Sequence, residues 1–424
     1  MKINTTWANA QITQYQDEYA LFNNYYKGEH QVYLNGIKTY KHLKDLLKGT
    51  KSNVCQSIVD IVANRIILSG IHTPENDEIN EFLTNYFHTN RVGSFFSQII
   101  RDCLIFGDAY VSLWFDKDNK LKLYSKNPFN TTVFYDENDE ISMAVSVKFY
   151  KDLKNNPRSR MYVYTKDFIG FEDYEGHSIK GEVEISENNM FTNPLGCVPI
   201  FHLYNSNKPT DFAESELVNV IPLQRHLNSL HQLRAVASES SAFKQRYLLG
   251  YTPQYDSNGN MVNPFSENEV GHIFISTDEN VTVGEWDATP LSNFTDVIDS
   301  IHREISIVTR IPQFLYNLGG NIPTSGLALK IAEQPLVNKI KSKQVILGDI
   351  IEDIFDIILK YNGYSNYGQL DAVWEDTSVV DEYAETQTVS NKIALGVKPE
   401  IALKELGYDV EQTTIEEDGF KSGF

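Results

Sequence analysis

Thr324-Ser325-Gly326-Leu327-Ala328-Leu329-Lys330 is the stretch on which the reading of this chain turns. Upstream of it, Ile311 to Ser325 holds Pro312, Gly319, Gly320 and Pro323, too many breakers for a stable helix, so a loop is predicted. Downstream, Ser325 can cap a helix that runs to about Lys360 on an apolar stripe of Leu336, Ile340, Leu347, Ile351, Ile354 and Ile358. Pro335 predicts a kink within it.

Working back from the loop, Thr289 and Pro290 occupy the preferred cap and first-turn positions of another helix. Its apolar face is Phe294, Val297, Ile298, Ile301, Ile305 and Val308. Residues 247 to 286 are rich in Gly, Pro and Asn with short apolar pieces at 272 to 275 and 281 to 283, which predicts a strand-and-loop insertion. Before that, Asp211 and Glu214 offer a capping box for a helix through Leu217, Val220, Leu223, Leu227 and Leu230 to about Phe243. Pro222 either sits in its early turn or divides a short entry segment from it. Two helices therefore bracket a small insertion.

The first 200 residues read as helices followed by an antiparallel sheet. Tyr15, Tyr19, Phe22, Tyr25 and Tyr26 share a helical face that Gly28 ends. Ser52 and Asn53 cap a helix through Val54, Ile58, Ile61, Val62 and Arg65, with Gly70 read as lying just beyond its end. Two more helices pass through Ile79 to Tyr86 and Phe95 to Leu104, and Gly107 punctuates the chain. Strands are then predicted at 109 to 115, 121 to 124, 131 to 135, 141 to 150, 160 to 165, 167 to 174 and 180 to 186. The fold class is α+β.

Composition narrows the function. The chain has 424 residues, 41% hydrophobic and 22% charged, enough apolar material for sizeable cores and two or three packed regions. Against 37 Lys and Arg stand 57 Asp and Glu, a formal charge of 37 − 57 = −20, which disfavours tight sequence-specific DNA binding. DNA that slides past without sticking is compatible with that balance. Cys55, Cys103 and Cys197 are too few and too far apart for a disulfide scaffold or a thiolate zinc finger, and the start lacks the apolar run of an export or membrane segment. The 24 Tyr and 23 Phe suit cores and interfaces between chains.

A search for chemistry finds little. No phosphate loop is present, since Gly319 and Gly320 lack a following Lys-Ser/Thr pair. His226 and His231 carry no metal-ligand signature, and His302, Arg303 and Glu304 fall at outward positions of their helix. Asp349, Glu352, Asp353 and Asp356 share a helical face and raise the alternative of an acidic-site, metal-dependent hydrolase, although no His is interleaved and a solvated face is the simpler reading. The same long element carries Lys330, Lys339, Lys341 and Lys343 in its early half. Two short helices, about 380 to 395 and 399 to 406, raise a DNA-binding regulator, yet Glu400, Lys404 and Glu405 make no basic reading surface. No catalytic residue, metal ligand or cofactor is assigned.

The order of elements resembles the portal proteins of tailed bacteriophages, in particular the group typified by the portal of Bacillus phage SPP1. Four stretches carry the resemblance: Asn53-Val54-Cys55-Gln56-Ser57-Ile58-Val59-Asp60; Gly107-Asp108-Ala109-Tyr110-Val111; Pro199-Ile200 followed by Ser215-Glu216-Leu217; and, most specifically, the Ser325-Gly326-Leu327-Ala328-Leu329-Lys330 segment. The resemblance implies a portal fold with a wing at 1 to 213, stem helices at 214 to 243 and 290 to 311, and a clip at 244 to 289 between them. A tunnel loop at 312 to 325, a kinked helix and wing/crown connection at 326 to 370 and a small helical crown at 371 to 424 complete it. That crown is shorter than in larger portals.

What the resemblance implies mechanically is a non-enzymatic homododecamer at one capsid vertex, with another ring count open to recombinant material. Double-stranded DNA would pass through it in packaging and ejection without sequence specificity. Its partners would be the terminase large subunit, the major capsid and scaffolding proteins and a head-completion or tail adaptor protein, with no membrane. The protein would sit in the virion, and in the host cytoplasm during assembly. Asn317, Gly319, Gly320, Asn321, Thr324 and Ser325 would form the tunnel loop, and Lys330, Lys339, Lys341 and Lys343 would face DNA. Tyr251, Tyr255, Phe265 and Phe274 would pack the clip. Twelve copies would carry roughly −240, a field that discourages adhesion.

Overall fold

In the computed structural model the described residues are 1–31, 51–74, 76–176, 180–206, 214–242, 246–250, 255–260, 282–285, 290–317, 323, 325–376, 389–390, 392–393, 397–399 and 401. Strand β1 (Lys2–Asn4) leads into α1 (Thr6–Tyr26), which buries Ala8, Ile12, Tyr19, Phe22 and Tyr25 at helical spacing. Gly28, at φ +69°, supplies the left-handed turn that stops it. Helix α2 (Val54–Ala63) starts where the Asn53 carboxamide accepts from the Cys55 N–H, and the chain then enters β2 (Leu68–His72). Asn76 caps α3 (Asp77–Thr89), and α4 (Val92–Phe106) ends at Gly107, φ +91°.

A run of strands follows: β3 (Asp108–Phe115), β4 (Leu121–Lys126), β5 (Thr131–Tyr135), β6 (Ile141–Lys151), β7 (Pro157–Tyr164), β8 (Phe168–Glu175), β9 (Glu182–Glu184), β10 (Met190–Thr192) and β11 (Ile200–Tyr204). The second half holds α5 (Val220–Ala242), β12 (Arg246–Leu249), β13 (Thr282–Glu285), α6 (Ser292–Thr309), α7 (Gly326–Tyr361) and β14 (Asp371–Trp374).

The strands make an antiparallel five-stranded sheet in the order β10-β8-β7-β6-β5 and a three-stranded sheet in the order β11-β3-β4, with β1-β9, β12-β13 and β14-β2 as pairs. Ile3 and Ala8 of the N-terminus, Val145, Val147, Met161 and Val163 of the large sheet, and Val183 and Ile185 close one core. Gly170 is needed there, because a Cβ would fall 2.5 Å from Ile185 Cδ1. A buried polar network ties α1 to the sheets. Tyr19 donates to Asp108 Oδ2 at 2.8 Å, His202 Nε2 lies 2.8 Å from Asp108 Oδ1, and His202 Nδ1 lies 2.8 Å from the Tyr135 hydroxyl. Within it, burial first and then the Asp108 charge push the Tyr19 phenol far above its ordinary range.

The main core joins α2, α3 and α4 to the second half of the chain. Ile351, Ile354, Phe355 and Ile358 of α7 are fully buried in it, each worth about 1.5–3 kcal/mol of apolar burial. Helices α5 and α6 pack on each other.

Several expectations are corrected. Gly70 lies inside β2 rather than past a helix end, because β2 pairs with β14 from some 300 residues away, a partner that local spacing cannot reveal. Asp211 lies outside the described residues, and α5 begins at Val220 after a turn at Glu216–Asn219 rather than at a 211/214 capping box. Pro222 is accordingly its third residue, where its missing N–H removes no helical bond. Helix α6 opens at Ser292, with Thr289 outside the described residues. Its inward face is Ile298, Ile301, His302, Ile305 and Thr309, so His302 is buried while Val297 and Val308 are exposed. Most of 247 to 286 and of the two short C-terminal helices lies outside the described residues, as do Tyr251, Phe265 and Phe274, while Tyr255 is exposed.

Candidate functional site

The end of α4, the strand β11, both central helices and α7 meet at one junction. Its first member is Glu216, in the turn before α5. That turn is fixed to the end of α4: the Glu216 N–H donates to the Leu104 carbonyl at 3.0 Å, and the Ser215 hydroxyl donates to the Ile105 carbonyl while accepting from the Leu217 N–H at 3.0 Å. From α7, Lys343 Nζ approaches Glu216 Oε1 at 2.6 Å, and Lys339 Nζ pairs with Glu216 Oε2. Lys339 also donates to the carbonyl of Thr309, the last residue of α6, at 2.9 Å. Lys343 donates to the Asn205 side chain, which follows β11 and itself donates to Glu216 Oε1 at 3.2 Å.

The electrostatics favour Glu216 as a carboxylate. Burial alone would raise the Glu216 carboxyl, yet the ammonium groups of Lys343 and Lys339 outweigh it and hold the carboxyl at about 2. A cleft of about 350 Å³ opens beside the cluster, bounded also by Tyr204, Asn219, Arg310 and Ser342. Arg310 stands in the left-handed region at φ +59° and turns the chain out of α6. The turn is held by Ser306 Oγ donating to the Ile311 carbonyl at 2.6 Å and by Thr309 Oγ1 accepting from the Ile311 N–H at 3.3 Å.

Beyond that turn, Gln313–Leu315 form a single 3-10 turn and the Tyr316 hydroxyl donates to the His302 carbonyl at 2.6 Å, anchoring the loop's first residues to α6. Asn317 follows; Gly319, Gly320, Asn321 and Thr324 lie outside the described residues. Ser325 caps α7 by accepting from the Ala328 N–H at 3.2 Å. Pro335 lies within α7 and leaves the Ile331 carbonyl without its helical donor.

The four lysines separate into two kinds. Lys339 and Lys343 are enclosed in the junction. Lys341 is exposed and Lys330 half-buried, and neither forms an ion pair among the described residues. Glu216 was invisible as a partner because more than 100 residues separate it from them. One signal was available: Lys339 and Lys343 are spaced like Leu336, Ile340 and Leu347, on the border of the buried stripe.

The acidic face of α7 serves the fold. Glu352 Oε1 accepts from the Ala372 N–H of β14 at 2.8 Å, and Asp356 accepts from the Tyr367 hydroxyl at 2.6 Å and pairs with Lys360. Burial raises Glu352 and Asp353 above the usual carboxylate range. Among the described residues no group of three or more His, Cys, Asp or Glu side chains is placed to hold a metal ion, and no helix is long and apolar enough to cross a membrane.

The fold is a helix pair bracketing a strand pair, followed by a long helix that is pinned back onto an α+β module. The family profile described as Phage portal protein, SPP1 Gp6-like matches residues 7–417, nearly the whole chain, and the chain belongs to that family. The portal protein of Mycobacterium phage D29 is 22% identical over 420 residues, spanning 92% of this chain and 82% of its own. The portal protein of Mycobacterium phage L5 is 22% identical over 419 residues, with the same coverage. The function is therefore that of a phage portal, the head–tail connector of a capsid vertex, and it is structural rather than catalytic. The comparisons lend nothing to the hydrolase and regulator alternatives.

Proposed function

We propose that twelve copies close a ring in which α5 and α6 are the stem that walls the channel, residues 244 to 289 the clip, and 312 to 325 the tunnel loop. Residues 1 to 213 form the wing, α7 links wing to crown, and 371 to 424 complete a small crown. Double-stranded DNA passes through the ring during packaging and ejection, driven by the packaging ATPase. The clip rim receives the terminase large subunit and later the adaptor protein, and the wing meets capsid and scaffolding proteins.

The observation that carries this reading is the exposed apolar surface of α6 and α7. Ile307 is 75% exposed, Leu327 71% and Ile331 66%, on helices that each bury a different, apolar face. Side chains of this kind flanking a loop call for cover, and neighbouring copies supply it. On this reading Lys330 and Lys341 remain available to a passing polyanion, while Lys339 and Lys343 hold the channel wall in place. Averaged images of the purified particle test it. A closed ring with the loop at the hole supports the reading, and a monomer at every salt and protein concentration overturns it.

A further inference from the structure

A second basic region lies on α5, away from the junction. Lys51, Ser52, His231, Arg234 and Ser238 border a cleft of about 500 Å³, and none of the described residues lining it carries a carboxylate. In a chain with a formal charge of −20, a concentration of positive charge that meets no carboxylate among the described residues is informative.

The hydrogen-bond roles sharpen the point. Arg234 Nη2 lies 3.2 Å from His231 Nδ1, and a guanidinium can only donate, so Nδ1 accepts and the ring proton sits on Nε2. His231 is thereby left with a donor. The Lys51 ammonium is steadied by the Gly28 carbonyl, and the Ser52 N–H by Asn228 Oδ1 at 2.9 Å. Burial first, and after it the neighbouring Arg234 charge, press the His231 imidazole below its ordinary value. Arginine, lysine and histidine thus offer donors of three different geometries around one cleft. That set suits a tetrahedral oxyanion better than a planar carboxylate, which a single arginine fork would satisfy.

We infer that the Lys51–His231–Arg234 cleft is a phosphate site that takes phosphodiester groups of DNA in the channel. Nothing in its lining is arranged to read bases, so it acts on any sequence. It differs from the lysines of α7 in having no internal acid among the described residues to neutralise it. The inference rests on the conduit reading, which makes DNA the source of the phosphate.

The test uses assembled full-length rings, a labelled short duplex and inorganic phosphate. Arg234→Gln and Lys51→Gln should each weaken duplex binding several-fold. Each should also flatten the dependence of log K on log salt by about 0.9 for every phosphate that the variant ceases to neutralise, read between about 50 and 200 mM. Lys154→Gln, at an exposed hairpin tip, removes the same charge elsewhere and serves as control. Inorganic phosphate should compete with duplex on the wild-type ring and lose that effect in Arg234→Gln. Equal behaviour of Arg234→Gln and Lys154→Gln overturns the site, as does phosphate that binds without displacing duplex. Rings that fall apart in Arg234→Gln while surviving rings keep full duplex affinity would place a neighbouring copy's carboxylate in the cleft, again overturning it. In each of these cases a closed wild-type ring leaves the conduit reading intact, whereas a wild-type protein that forms no ring sinks that reading itself.

Discussion

Glu333, buried on α7 two residues before Pro335, receives both terminal nitrogens of Arg65, at 3.1 and 3.2 Å, from just beyond the end of α2. This bidentate pair fixes the first turns of α7 to the end of α2, while the Glu216 junction fixes the turns after Pro335. Because the Glu333 side chain is almost fully enclosed, removing its partner strands a charge. Arg65→Met should cost about 3 kcal/mol in urea unfolding, and the double variant Arg65→Met/Glu333→Leu should recover much of that loss. Additive single effects would show that the two side chains are not coupled.

Acid should reach the Glu216 junction late. Its folded carboxyl sits near 2, below the ordinary value of 4.5, so its contribution is present above pH 4.5 and disappears as pH falls towards 2. The full difference corresponds to about 3 kcal/mol. Glu216→Gln should be less stable than wild type at pH 7, with the gap narrowing as pH falls from 4.5 to 2; urea midpoints across that range provide the measurement.

Pro335 deprives α7 of one backbone hydrogen bond. Pro335→Ala should restore it and raise the thermal midpoint, by an amount equivalent to at most about 3 kcal/mol. If α7 must flex at this point during DNA passage, packaging yield should drop in the same variant. Unchanged yield would separate the helix break from transport.

Gly170→Ala should overpack the core under the five-stranded sheet, since the new methyl meets Ile185 at 2.5 Å. A loss of about 1–3 kcal/mol is expected, with partial recovery on adding Ile185→Val. Calorimetry of both variants distinguishes a steric clash from a backbone effect.

Deleting Gly319 and Gly320 should leave thermal unfolding close to wild type and lower the amount of full-length DNA packaged. Normal packaging by that variant would remove 312 to 325 from the channel lining.

Much of the helical architecture was legible because each helix states its own face. Asn53, Gly107 and Ser325 stand at real boundaries, since a cap or a left-handed turn is a local demand that a single residue meets. Strands β3 to β8 were likewise readable from their Tyr, Val and Phe content. Four short strands were not: β1, β2, β10 and β14 have three to five residues each, and β1, β2 and β14 exist because of partners far away in the chain. His302 looked outward because helical spacing alone cannot tell which way α5 will lie. The junction was hidden for the same reason, for Glu216 looks like any acidic turn residue until α7 is laid beside it.

The pairing of β2 with β14 bears on how the chain is made. Leu68 to His72 leave the ribosome early, yet Asp371 to Trp374 emerge some 300 residues later, about 15–60 s at ordinary rates of synthesis. Until then one edge of the N-terminal region waits unpaired, so a subunit cannot be finished while it is still being translated. Completion of the fold thus waits on the last part of the chain to be made.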